Sequence, residues 1–402
     1  MVRALGIDPG TKSFDLALLD GDEVVWELSI PTEEVARNPA SLLKAVESAG
    51  DVDVVVGPSG YGTPVVWGDE ILDPERFALE VLLLTPREAL EAGVRAGDPG
   101  IGVYKALAEA VKDLAGLGRG VCFIPSVVLL PTVLRRRKLG RLDMGTADKL
   151  AVTLLAIHDQ ARRLGLGYED VSLILVEMGY GYNAVVGVEG GRVVDGLGGT
   201  LVPMGFLTAG PLDLELVVAG REWVRTDVFH GGVAEQCGTL DPGKALELVK
   251  GGVDACVDAF EAMMEWVERT VRGMLTSVRR PREVVISGRL TRYEDVAEEL
   301  VRRLSDVAPV RRLGFLRGAR LSKEAAQGYA LVGEGLLGGV FKELVRHARV
   351  AEARGTVMDY VTHPRLARAR EALRRAYVET LKPEALKRVL GDGCRAGAPE
   401  AA

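Results

Sequence analysis

Apolar positions along this chain gather in short runs separated by glycine-containing turns, and two of these groups share one plan. In the first, Ala4–Asp20, an apolar run meets the turn formers Asp8-Pro9-Gly10-Thr11 and a second apolar run follows from Ser13. Alternation on both sides predicts two strands joined by a tight turn. The second group, Leu173–Asp195, predicts a hairpin that turns around Gly179-Tyr180-Gly181 and continues through Gly190-Gly191 into a third strand. With Glu23–Ile30 as the third strand of the first group, each group is a three-stranded meander.

The intervening pattern is mixed. Helical spacing covers Asn38–Ala49, Arg87–Glu91 and Val103–Leu114, whereas the valine-rich runs Asp53–Gly57 and Val121–Ile124 read as buried strands. The segment Gly57–Pro64 is dense in turn formers. Asp143–Lys149 leads into a long apolar-periodic helix ending at Leu164, with Thr146 as the expected N-cap. Beyond the second meander come helices at Leu212–Ala219, Asp241–Lys250 and Val253–Val278, a strand at Glu283–Ser287 ending on Gly288, and helices at Val296–Leu304 and Ser322–Leu337. The chain is therefore an α/β protein whose topology, though not its plain sequence, is duplicated. An N-terminal lobe over residues 1–165, a C-terminal lobe over 166–340 and a helical extension over 341–402 are expected.

Composition narrows the classes. The 402 residues, 48% hydrophobic and 27% charged, suffice for two cores. No apolar stretch approaches the ~20 residues that span a bilayer, and Met1-Val2-Arg3 runs straight into a strand, so a cytoplasmic protein without membrane contact is expected. A net charge of −7 argues against broad nucleic-acid binding. Cys122, Cys237, Cys256 and Cys394 are scattered with no Cys-x-x-Cys, which predicts reduced thiols. The four scattered histidines offer no nitrogen–sulfur metal set, so any metal is expected to be magnesium held through phosphate. Arginine greatly outnumbers lysine and amides are few, a balance suggestive of a thermophile. Arg135-Arg136-Arg137-Lys138 reads first as a solvated charge run and second as an anion site.

Two facing hairpin loops hold a polyphosphate between their amides when they share a crevice. The order of Asp8-Pro9-Gly10-Thr11-Lys12-Ser13, the connecting helix Ala147–Leu164, the second loop Glu177–Tyr182, the strand Val284–Ser287 with Gly288, and the closing helix at Ala325–Ala330 resembles the acetate and sugar kinase, heat-shock cognate and actin superfamily. Within it, the chain is most similar to acyl kinases and above all to an archaeal family of predicted butyrate kinases. The resemblance covers about residues 1–340. It implies two duplicated actin-like (ribonuclease H-like) βββαβα domains with ATP and Mg2+ in the cleft between them. It also implies phosphoryl transfer to a small-molecule substrate, a short-chain carboxylate in the butyrate kinases. Separately from the resemblance, a homodimer is the expected assembly.

Under that reading Asp8 and Glu177 are the metal-facing carboxylates. Gly10, Thr11, Lys12 and Ser13 would meet the phosphates from one side and Gly179, Tyr180 and Gly181 from the other, while Ser287 and Gly288 would lie against the adenosine. Asp148 is the candidate base, Asp143 the second choice, and Lys149 a source of positive charge. Bland roles exist for each: Asp8 as an Asx-turn residue, Lys12 as an exposed hairpin lysine, Asp148 as a dipole-favoured first-turn residue. Asp213 and Glu215 are weaker cleft candidates. The acyl kinases carry an arginine after the Val-Gly of the Asp53–Gly57 strand, where Pro58 stands here, and a second after the second hairpin, where Phe206–Pro211 has none. A nucleotide-switched binding protein is the alternative function.

Overall fold

The computed structural model describes residues 1–96, 101–221 and 223–391. Two mixed sheets organise the chain. The first contains β1 (Arg3–Pro9), β2 (Ser13–Asp20), β3 (Glu23–Pro31), β4 (Val54–Val56), β5 (Val66–Trp67) and β6 (Val121–Phe123), in the order β3-β2-β1-β4-β6-β5. The second contains β7 (Leu173–Met178), β8 (Asn183–Glu189), β9 (Arg192–Leu197), β10 (Glu283–Ser287) and β11 (Val310–Arg312), in the order β11-β10-β7-β8-β9. Each sheet runs through an antiparallel meander and then places a parallel strand beside its first member, β4 on β1 and β10 on β7. Asp8 and Glu177 each stand one residue before the end of the leading strand, so the duplication sets them in equivalent places.

The leading strands are buried at almost every position. Helices cover the sheets, and a sheet covered on both faces has no solvent side to mark with polar residues. The helix Glu324–Leu336 lies directly on β1, where a Cβ on Gly6 would come 2.1 Å from the carbonyl oxygen of Ala326. The same helix presses Gly328 onto the helix Ala147–Leu164, 2.3 Å from the Ala151 carbonyl oxygen for a Cβ there. Only glycine permits these two contacts, and together they bring the helices between the sheets close enough to form one continuous apolar core.

The cysteine expectation needs correction. Cys237 and Cys256 form a disulfide across 19 residues, because the short helix Val233–Cys237 folds back on the helix Asp254–Met274, a contact that spacing along the chain does not reveal. Cys122 is a buried free thiol, pushed up to about 12 by burial; Cys394 lies outside the described residues. The basic run Arg135–Lys138 is not a uniform solvated face either. Arg137 donates to the Val194 carbonyl at 2.7 Å, and the buried Lys138 ammonium donates to the Leu130 carbonyl at 2.7 Å. Asp213 is an exposed N-cap that accepts from the Glu215 amide.

The helices after residue 341 pack back on the first sheet's neighbourhood. Tyr377 donates to the Thr63 hydroxyl at 3.2 Å, and Arg388 reaches the Glu70 carboxylate at 2.5 Å. Residues 392–402 of the expected extension lie outside the described residues. Among the described residues no helix is long and apolar enough to cross a membrane.

Candidate active site between the two hairpins

The turns at the ends of β1 and β7 face each other. The Lys12 ammonium, from the first turn, sits 4.6 Å from the centroid of the Tyr180 ring in the second, and Arg289, just after β10, donates to the Ser13 hydroxyl at 3.3 Å. Thr11 and Lys12 are exposed, Ser13 buried. The Gly10 turn is fixed by its amide on the Asp8 carbonyl at 3.1 Å and by the Thr32 hydroxyl on its own carbonyl at 2.7 Å. In the second turn the Gly179 amide is already committed to the Tyr182 carbonyl at 2.8 Å, and the Tyr180 hydroxyl donates to the Leu240 carbonyl at 2.5 Å. Gly181 offers its carbonyl to the Leu207 amide, so the second loop's glycines shape the turn as much as they open it. Gly288, at φ +96, passes so near β7 that a Cβ would meet the Glu177 carboxylate oxygen at 2.7 Å; beside it the Ser287 hydroxyl is buried without a partner among the described residues.

Behind the turns lies a chain of buried charge. The Lys323 ammonium bridges Asp15 at 2.6 Å and Asp8 at 3.2 Å, and donates to the Ser13 carbonyl at 3.0 Å. The Lys149 ammonium bridges Asp148 at 2.8 Å and Glu177 at 2.6 Å. One ammonium neutralises one carboxylate fully, and the effect on acidity follows. Burial alone would raise Asp148, but Lys149 and the Thr146 hydroxyl outweigh it and hold the carboxyl below its usual range. Burial pushes Glu177 up to about 7 in spite of Lys149, and Asp8 is likewise raised by burial against the pull of Lys323. Both lysines are held as ammonium by their carboxylates although burial opposes the charge.

Two expectations change here. Thr146 does not cap the helix through its side chain; its hydroxyl donates to Asp148. Asp143 is spent on structure: one oxygen accepts from the Gly145 amide at 3.1 Å and the other from the amide and hydroxyl of Thr200 at 3.1 Å each. That arrangement ties the segment before the helix to the loop after β9. Asp15, Lys323 and Arg289 join the site without a sequence signal of their own. The pattern places Asp15 within a strand, and the Ser322–Leu337 periodicity predicts a helix without indicating that Lys323, at its start, reaches back across the first turn.

The donor set bears on a metal. The carboxyl groups of Asp8, Asp15, Asp148 and Glu177 outnumber the ammonium groups of Lys149 and Lys323 four to two, and oxygen donors of this kind suit a hard divalent cation. Among the described residues no three histidine, cysteine or carboxylate groups converge closely enough to hold a metal ion by themselves. A magnesium ion would therefore take most of its oxygens from phosphate and water, with Asp8 and Glu177 facing it.

A family profile described as "Protein of unknown function (DUF1464)" matches residues 6–363. The chain belongs to the DUF1464 family. No curated protein matches it in sequence. Among solved structures, acetate kinase from Porphyromonas gingivalis is similar with a TM-score of 0.54 at 14% identity, over 84% of this chain and 100% of that one. A propionate kinase from Francisella tularensis subsp. tularensis SCHU S4 gives 0.54 at 11% identity, over 82% and 98%. These likenesses establish the fold of this DUF1464 protein as the two-lobed actin-like α/β fold.

Proposed function

We propose that this protein is an ATP-dependent phosphotransferase acting on a small metabolite, with a short-chain carboxylate as the acceptor. The observation that carries the reading is the meeting of the two duplicated turns, Lys12 over Tyr180 and Arg289 on Ser13, in front of a cluster in which four carboxylates share two ammonium groups. The amides of the exposed residues Thr11 and Lys12 and the Thr11 hydroxyl would bind the polyphosphate, with the second turn shaping the other side, and Arg289 and Lys12 would answer its charge. A bound magnesium ion would neutralise phosphoryl oxygens, with Asp8 and Glu177 holding it through water. The solved kinases of the same fold support the reaction class.

The acidity of Asp148 supports a carboxylate acceptor. A general base works best with a pKa near the operating pH, whereas Asp148 is held below the usual carboxylate range and already gripped by Lys149 and Thr146. Such a group orients and balances charge better than it takes a proton. A carboxylate acceptor needs no base: its oxygen attacks the γ-phosphorus, the bond to the bridging oxygen breaks, and ADP leaves with the electron pair. Hydroxyl acceptors would have to surrender a proton to something.

The decisive experiment measures ATP consumption over a panel of short-chain acids and polyols. Stimulation by acids supports the proposal; stimulation by polyols alone assigns Asp148 the base role instead. In the first case Asp148→Asn lowers turnover about tenfold through lost charge balance while ATP affinity holds; in the second, a loss beyond about a hundredfold indicates proton transfer from the hydroxyl. A nucleotide-switched binding protein is favoured by one observation, the exposed apolar stretch that includes Leu214 (65% exposed), Val218 (63%) and Val224 (62%). ATP hydrolysis indifferent to every metabolite would favour that alternative.

A further inference from the structure

Arg225 lies in a turn of helix, Arg225–Phe229, from the long excursion after the second meander, yet its side chain enters the N-terminal half of the molecule. The guanidinium donates through Nε to the Thr85 hydroxyl at 3.2 Å, and through Nη2 to the Tyr61 hydroxyl at 3.1 Å and the Leu83 carbonyl at 3.4 Å. It lies 4.9 Å from the centroid of the Tyr104 ring and 5.6 Å from that of Tyr61. Every partner is a neutral oxygen or an aromatic face. No carboxylate among the described residues pairs with it, and Nη1 makes no hydrogen bond among them.

A largely buried guanidinium without a counter-charge is unusual, because desolvating it is costly and tyrosine faces return only part of that cost. Two of its three donor nitrogens are fixed by hydroxyls and a carbonyl, which orients the fork and leaves the third for a ligand. The Nη1 nitrogen carries two N–H donors, and charge-assisted hydrogen bonds from such a group suit a carboxylate oxygen. The location agrees. Tyr61 belongs to the Gly57–Pro64 loop, whose Gly60 carbonyl accepts from the Ala147 amide at 3.2 Å, so the loop that holds Arg225 also abuts the start of the helix bearing Asp148 and Lys149. Tyr182, one residue beyond the second turn's Gly181, donates to the Val228 carbonyl at 3.3 Å and packs its ring 5.7 Å from Phe229.

We infer that Arg225, held by Tyr61 and Thr85, is the anchor for the carboxylate of the acceptor. It supplies from a different segment the cation that Pro58 and Phe206–Pro211 lack. The aromatic faces of Tyr61 and Tyr104 would meet the apolar remainder of the same molecule. This inference rests on the phosphotransferase reading for its acceptor, but the binding it describes is measurable without turnover.

The test is calorimetric titration of the full chain with acetate, butyrate and benzoate, each paired with its neutral amide, and with inorganic phosphate, in the presence and absence of magnesium and a non-hydrolysable ATP analogue. At least one acid is expected to bind while its amide does not, with affinity falling more than tenfold in Arg225→Met and about tenfold in Arg225→Lys, which keeps the charge and loses the planar group that Tyr61 and Thr85 orient. Tyr61→Phe keeps the ring, removes one support of the guanidinium, and is expected to weaken the acid severalfold; it serves where Arg225→Met does not fold. Equal acid binding by wild type and the Arg225 variants overturns the inference, as does the absence of binding by every acid or Arg225-dependent binding of phosphate alone. A variant that melts earlier with unaltered acid affinity also overturns it, leaving Arg225 as a tether. Nucleotide binding is read separately by whether magnesium-ATP raises the melting temperature of the wild type. Failure there rejects the phosphotransferase reading and leaves the carboxylate result standing.

Discussion

The helix Ala147–Leu164 and strands β7 and β10 carry buried charge at both ends, and the two ends are built differently. At the helix's far end Glu283, first residue of β10, accepts from Arg163 at 2.6 and 3.1 Å, from Gln160 at 3.0 Å, and pairs with Arg311 at 3.1 Å, while Arg163 also holds Asp159 at 3.0 Å. Two carboxylates there meet two guanidinium groups. At the near end Asp8, Asp15, Asp148 and Glu177 meet only Lys149 and Lys323. Burial is common to both ends, so burial alone does not mark function. The distinguishing quantity is unmet charge: the Glu283 end is complete as it stands, whereas the end under the two turns has room in its electrostatics for cations that arrive with a ligand.

The largest effect that this contrast predicts is on turnover. Asp8→Ala removes a carboxylate that faces the phosphate side, and magnesium-dependent ATP consumption is expected to fall about a thousandfold, equivalent to roughly 4 kcal/mol of transition-state stabilisation. Stability is expected to change little, because Lys323 keeps Asp15 and a surplus negative charge has gone. A urea midpoint that drops as far as in a Glu283 variant would break the distinction between the two ends.

Glu283→Gln is the counterpart. It leaves the Arg163 fork and Arg311 without their carboxylate, and the expected loss is about 3 kcal/mol of folding stability, read from the urea midpoint at constant slope. ATP turnover per folded molecule is expected to be unchanged, since Glu283 touches neither turn. A collapse in turnover at full stability would show that the complete end communicates with the site.

The sequence disclosed the fold more fully than the site, for a physical reason. Strands and helices announce themselves through local periodicity and turn chemistry, and Glu283–Ser287, the meanders and the helix through Leu164 fell where the pattern placed them. Single pairings such as β5 with β6 are two residues long and leave no periodic trace. The site depends on contacts between distant segments. Lys323 reaching Asp8 spans 315 residues, and Arg225 reaching Tyr61 spans 164. The duplicated turns were legible because each carries its own glycines, whereas the missing arginines of the acyl kinase pattern suggested an absence that position 225 answers from another loop. Asp143 shows the opposite limit: its residue type and helix-start position suited catalysis, and only the Thr200 and Gly145 amides reveal a clamp.

The smallest effect separates the ends by the sign of their pH dependence. Glu177 is raised by burial to about 7, so between about pH 4.5 and 7 the folded protein holds a proton that the unfolded chain has released, and stability falls as pH rises through that window. Glu283 runs the other way. Burial would raise it, but Arg163 and Gln160 hold it below its usual range, so its contribution is present above the unfolded value of 4.5 and is lost as pH falls through the lowered one. In metal-free protein, Glu177→Gln is expected to flatten the decline towards neutral pH, an effect on the order of 1–2 kcal/mol, while the acid limb stays in place. Magnesium-ATP should act in the same direction as the substitution, because a cation beside Glu177 stabilises the charged carboxylate. If the decline persists in Glu177→Gln, it comes from Asp8, which burial also raises, and the second turn's carboxylate is already balanced by Lys149.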